Sequence, residues 1–243
     1  MKNLDKILVV LKRFVKAVPF FASPDALQMV VKPYPLFQGL YVAIPPSREL
    51  VLVTQENYQK IVQKKLDFVI EQVTEADDPL VHLFMLLSCP YRLQFLSYIQ
   101  PYLTPEQLGF ILGWTWCKTE FPHQNGISKM VKLFRLCSKE TLMDEASRKT
   151  FDNIPEILTI YRGIQSKKAR IRGLSWTTDL EKAKWFARRF NCNNTVFEAK
   201  IEKKNVFACF DIRGESEVVV NPWCLKEVKC KIRTYAKGVT HNA

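Results

Sequence analysis

The chain has 243 residues, 47% of them hydrophobic and 12% aromatic, which excludes wholesale disorder and is enough for one large core or two smaller ones. Lys and Arg number 36 against 24 Asp and Glu, a net charge of +12, so the surface is suited to anionic partners rather than basic ones. No uninterrupted apolar run reaches bilayer-spanning length.

In chain order, Met1 to Lys16 mixes apolar residues with Asp5, Lys12, Arg13 and Lys16, and no small-residue cleavage site follows. This predicts an amphipathic helix packed on the protein or on a partner, in preference to a membrane-surface anchor. Prolines recur from Pro19 to Pro46, and short strands at Leu40–Ile44 and Leu50–Thr54 are expected to pair across Pro45-Pro46-Ser47-Arg48. From Glu56 to Val73 the spacing of Ile61, Leu66, Val69, Ile70 and Val73 predicts a helix. Pro79 to Leu103 is apolar and broken at Cys89-Pro90, and Thr104-Pro105-Glu106-Gln107 is a helix start with proline in the first turn. Trp114 and Trp116 are assigned to the core. Ile127–Cys137 and Lys139–Lys149 read as two further helices, and Asn153-Ile154-Pro155 closes the helical region.

Beyond it lie three short motifs. The first is Ile160-Tyr161-Arg162-Gly163. The second is Gly173-Leu174-Ser175-Trp176-Thr177-Thr178, followed by a helix expected over Asp179–Phe190, with Thr178 and Glu181 as its capping box. Ala183, Phe186, Ala187 and Phe190 form its apolar stripe, Lys182, Lys184, Arg188 and Arg189 its wet side, and Trp185 is given a packing role. Strands follow at Thr195–Ile201 and Val206–Phe210, and Asp211-Ile212-Arg213-Gly214 leads to the third motif, Glu215-Ser216-Glu217, at the mouth of Val218-Val219-Val220. In an extended strand residues i and i+2 share a side, so both carboxylates are expected to converge on one spot. Read alone, the pair is a solvated strand entry. Convergent anions also suit a cationic transition state.

Arginine, then a Ser/Thr strand running into a helix, then Glu-x-Glu on a late strand: this ordered set resembles the Arg-Ser-Glu class of NAD-dependent mono-ADP-ribosyltransferases, the cholera-toxin-like branch, over residues 155 to 235. The resemblance implies an α+β fold, with a mostly helical N-terminal region ahead of a two-sheet catalytic core. It divides the chain into 1–74, an amphipathic helix and small α/β segment; 75–150, a helical lobe; and 151–243, the catalytic core. NAD is then the co-substrate. Glu217 is the carboxylate that steadies the ribosyl cation, and Glu215 orients or deprotonates the acceptor. Arg162 offers a permanently charged fork to the pyrophosphate, Gly163 allows close backbone approach to nicotinamide, and Ser175 with Thr177 holds the glutamate and the sheets in register. Trp176 departs from the residue commonest there. Phe210, Ile212 and Arg213 are expected to read the target.

The three histidines, His82, His123 and His241, begin no first strand of a catalytic sheet, which argues against the diphtheria-toxin-like class. Seven cysteines without a Cys-x-x-Cys pair give no metal signature and fit reduced thiols in a cytoplasmic protein. There is no Gly-rich dinucleotide fingerprint. Residues 1–150 carry 18 basic and 14 acidic side chains, and residues 151–243 carry 18 and 10, so the excess lies in the catalytic part. Lys167, Lys168, Arg170 and Arg172 cluster there, with Lys200, Lys203, Lys204, Lys226, Lys229 and Lys231. A nucleic-acid target, RNA or DNA, is therefore favoured, as for an intracellular toxin or phage-defence effector of bacterial or phage type. A protein arginine acceptor is the alternative, because Glu-x-Glu in the family goes most often with arginine. An acidic antitoxin would also suit the charge. An NAD glycohydrolase and a non-catalytic basic binding module complete the set.

Overall fold

The protein is described by a computed structural model over residues 2–20, 33–119, 125–164, 171–189, 194–212 and 214–234. It is α+β, and it divides into two compact units, Met1–Asn125 and Gly126–Ala243. Among the described residues the regular elements of unit one are helices and one hairpin. Among the described residues unit two carries three α-helices ahead of a six-stranded antiparallel sheet and one within it.

In unit one, α1 (Leu4–Ala17) turns Ile7, Leu8, Leu11, Phe14 and Val15 inward, as its apolar period requires. Phe14 lies 5.3 Å from Phe95 and 5.7 Å from Tyr98 between ring centroids, and the Tyr34 hydroxyl donates to the Val15 carbonyl at 2.6 Å. The helix thus packs on its own unit. Strands β1 (Tyr41–Ile44) and β2 (Glu49–Leu52) pair antiparallel with Tyr41 opposite Leu52. Helices α2 (Tyr58–Glu75), α3 (Pro79–Leu86), α4 (Cys89–Ile99) and α5 (Pro105–Cys117) follow. Helix α5 starts in a capping box in which Thr104 and Gln107 satisfy each other's main-chain amides. Trp116 is buried, whereas Trp114 is partly exposed beneath two cations, with the Arg92 guanidinium 5.0 Å and the Lys118 ammonium 5.1 Å from its ring centre.

In unit two, α6 (Ile127–Leu136), α7 (Lys139–Leu142) and α8 (Glu145–Asn153) pack with the sheet. The single helix expected over 139–149 is two, because Asp144 caps a new one by accepting from the Ser147 amide at 2.8 Å. Phe134 stacks on Phe207 at 5.4 Å, and the Cys209 amide donates to Met143 Sδ at 3.4 Å. The strands are β3 (Ile157–Ile164), β4 (Ser175–Thr177), β5 (Asn194–Glu202), β6 (Val206–Phe210), β7 (Glu217–Val220) and β8 (Lys226–Thr234), in the order β6-β7-β4-β3-β5-β8. The two-sheet core implied by the resemblance is, among the described residues, one sheet with a narrow waist. Strand β3 pairs with β5 over eight residues but with β4 only at Tyr161 and Thr177. One face holds Ile160, Ile164, Trp176, Ala199, Val218 and Val220, and the other receives Ala183 and Ala187 of α9 (Leu180–Arg188).

Candidate active site at the waist of the sheet

The three sequence motifs meet where β3, β4 and β7 lie side by side. Tyr161 stands opposite Thr177, and Thr177 opposite Glu217, so one row crosses all three strands at the narrowest point of the sheet. Cross-strand partners share a face, which puts Thr177 directly beside Glu217. Ser175 pairs with Val219, one step along on the same face.

Arg162 follows Tyr161 on β3 and crosses to β4 by its side chain, where Nη1 donates to the Ser175 main-chain carbonyl. Ser175 therefore meets the arginine through its backbone, and Thr177 is the residue whose position is matched to the glutamate. Burial lowers the Arg162 pKa to about 10, and the Glu217 carboxylate acts the other way by favouring the cation. Arg162 Nε is buried and makes no hydrogen bond. Room for the guanidinium comes from Gly173, where a Cβ would lie 2.6 Å from both Cζ and Nη2. Gly163 has a different reason to be glycine from the one expected: a Cβ there would meet the Ala183 carbonyl of α9 and lie 2.5 Å from the Ala187 amide. Its missing side chain lets the helix sit on the strand.

The Glu215–Glu217 segment is not an extended strand. Ser216 is left-handed, with φ 46°, and β7 begins only at Glu217, so simple alternation does not align the two carboxylates. Three hydrogen bonds hold the turn. Thr177 Oγ1 donates to the Glu215 carbonyl at 2.8 Å, the Thr178 amide to the Ser216 carbonyl at 3.2 Å, and the Ser216 amide to Asp211 Oδ1 at 2.8 Å. Glu217 is 8% exposed, whereas Glu215 is partly open.

Thr177 Oγ1 also accepts from the Asp179 amide at 3.1 Å. The cap of α9 is Asp179 itself, which accepts from the Glu181 and Lys182 amides; the Thr178 and Glu181 box does not form, since the helix starts one residue later. Ala183 and Ala187 face the sheet as expected, but Trp185 is 55% exposed, with its ring edge-on to Phe186 and under Arg189 at 5.5 Å.

Of the residues expected to read a target, Phe210 is 5% exposed and belongs to the core, because β6 pairs it with Glu217 inside the sheet. Ile212 stands 64% exposed, and Arg213 lies outside the described residues. Lys167, Lys168 and Arg170 also lie outside them. Arg172 is committed to structure: its Nη1 donates to the Pro222 and Leu225 carbonyls at 3.2 and 3.3 Å, strapping the β7–β8 connection.

Most of the lysines around β5 and β8 have local partners. Lys229 and Lys231 each reach Glu198 at 2.8 Å, Lys204 and Lys226 pair with Glu202, Lys200 reaches Glu227 at 2.7 Å, and Lys203 donates to the Asp152 carbonyl at 2.6 Å. Six lysines thus stand against only three carboxylates, Glu198, Glu202 and Glu227, so this edge of the sheet keeps an excess of positive charge. Burial pushes the Cys209 thiol up to about 12 and Cys137 up to about 11, so neither is a nucleophile at neutral pH. Among the described residues no group of His, Cys, Asp and Glu could hold a metal, and no helix is long and apolar enough to cross a membrane.

No protein-family model matches the chain, and neither a curated protein nor a solved structure matches it.

Two further contributors, Gly173 and Asp211, stand in the motifs read from the sequence, which assigns them no role of their own. Gly173 was one of only 8 glycines, standing two residues before the Ser/Thr motif. Asp211 opened an Asp-x-x-Gly turn, a common signature of side-chain-to-backbone closure.

Proposed function

We propose that the protein is an NAD-dependent mono-ADP-ribosyltransferase. The observation that carries the reading is the row Tyr161–Thr177–Glu217, which sets the strand of Arg162 and the strand of Glu217 on either side of β4, near enough for the carboxylate to favour the guanidinium cation. Cleavage of the nicotinamide–ribose bond leaves the electron pair on nicotinamide and develops positive charge on ribose C1′ and its ring oxygen. Glu217, held rigidly beside Thr177 and shielded from water, is suited to stabilise that charge. The acceptor nucleophile then forms the new bond to C1′ and gives up its proton, for which the more open Glu215 is suited. Arg162, which keeps a buried donor unspent, suits the diphosphate. These residues fit NAD as co-substrate, with no metal required by the roles assigned.

The acceptor in this reading is a nucleic acid, in keeping with the net +12 of the chain, and the setting is an intracellular toxin or phage-defence effector. The ion pairing of five lysines around β5 and β8 favours a second reading, in which the acceptor is a protein arginine. Incubation with NAD labelled in the adenylate and a total cell extract separates the two. Label lost to nuclease supports nucleic acid, and label lost to protease supports protein. Consumption of NAD with no macromolecular label supports a glycohydrolase, and no consumption removes the reading.

A further inference from the structure

We infer that the solvent face of α1 is a docking surface for the phosphate backbone of nucleic acid. Lys6, Lys12, Arg13 and Lys16 of this helix, with Lys2 just before it, are all exposed, against a single acid, Asp5. Among the described residues none of the five cations takes part in an ion pair, in contrast to the lysines of β5 and β8. From Lys6 to Lys16 the row runs about 15 Å at the helical rise, long enough to follow several phosphates. Lysine is depleted at protein–protein interfaces but is well suited to non-specific phosphate contact, which selects nucleic acid over an acidic protein. A membrane surface is the poorer occupant, because an interfacial helix must sink its apolar face, and here Ile7, Leu11, Phe14 and Val15 are already buried in the unit. The surface deepens the functional reading by naming where a nucleic-acid acceptor is held, and it rests on that reading only for its consequence in transfer.

The test is binding of a short fluorescein-labelled single-stranded RNA to the full chain, followed by anisotropy across a salt series. The variant Lys6→Glu/Lys12→Glu/Arg13→Glu/Lys16→Glu should bind at least about tenfold more weakly, with the slope of log K against log salt shallower by about 2 to 3, as expected for four lost phosphate contacts. The neutral set with Gln at the same positions should show the same slope change, which guards against misfolding of the reversed helix. Reversal of Lys229 and Lys231 should leave RNA binding unchanged. Unchanged RNA binding by the α1 variants overturns the inference, as does loss of binding to phosphatidylserine vesicles with RNA binding retained. If the wild type consumes no NAD yet the α1 variants lose RNA, the transferase reading fails and the docking surface stands.

Discussion

Gly173 lies against the guanidinium of Arg162, close enough that a single added methyl would stand 2.6 Å from Cζ. The obstructed group is the far end of a flexible side chain, so Gly173→Ala should displace the arginine at little cost to the fold. NAD turnover should fall towards that of Arg162→Lys, while the thermal midpoint moves much less. Full turnover in Gly173→Ala would show that the arginine position seen here is not the working one.

Glu217 and Glu215 differ in burial and are expected to differ in consequence. Glu217→Gln should lower both NAD hydrolysis and transfer by about 100- to 1,000-fold, the range for removing one transition-state electrostatic contact. Glu215→Gln should lose transfer and retain hydrolysis. Separate assays of nicotinamide release and acceptor labelling check this, and equal loss of both activities in Glu215→Gln would place it on the ribose.

Asp179, not Thr178, caps α9. Asp179→Ala should therefore destabilise the protein by about 1 kcal/mol, and Thr178→Ala should stay within about 0.5 kcal/mol of wild type. Denaturant midpoints of the two variants compare them directly; a larger loss at Thr178 would restore the capping box.

Glu202 sits between Lys204 and Lys226, whose hydrogen bonds hold its pKa down, at about 2 against an ordinary 4.5. A carboxylate whose folded pKa is depressed contributes stability that is fully present above the ordinary value and is lost as pH falls towards the folded one. The difference in urea midpoint between wild type and Glu202→Gln should be constant from pH 7 to about pH 5, then shrink between about pH 4.5 and 2. Because the group is exposed, added salt should reduce it. A difference independent of pH would mean that these contacts do not form in solution.

Much of the architecture was legible. The capping box at Thr104, the proline break at Cys89-Pro90 and the hairpin across Pro45-Pro46 are local signals, and each element formed within a few residues of its expected bounds. Strands β5 and β6 were likewise legible from their apolar patterns. What escaped depended on contacts distant in sequence. Phe210 reads as a loop-edge aromatic until β6 is seen paired with β7, and Arg172 as a free cation until the carbonyls near residue 225 are placed beside it. The clustering of Lys229 and Lys231 on Glu198 needs the β5–β8 pairing, since the partners are 31 and 33 positions apart along the chain. Ser216 escaped for a different reason: a left-handed serine leaves no mark in an apolar pattern, so Glu-x-Glu looked like the start of a regular strand.

The single Tyr161–Thr177 pairing makes the sheet two three-stranded leaves sewn together by one stitch. Arg162 belongs to one leaf and Glu217 to the other, and the Arg162 bond to the Ser175 carbonyl is a second thread across the seam. The arginine is thus a fastener of the seam, and in the proposed reaction it is also the group that meets the diphosphate. Its charge, drawn away by a ligand's phosphates, would loosen the seam that fixes its distance from the glutamate. On the proposed reading, occupancy of the site and stiffness of the sheet would be coupled, and amide exchange in β4 is where that coupling would register.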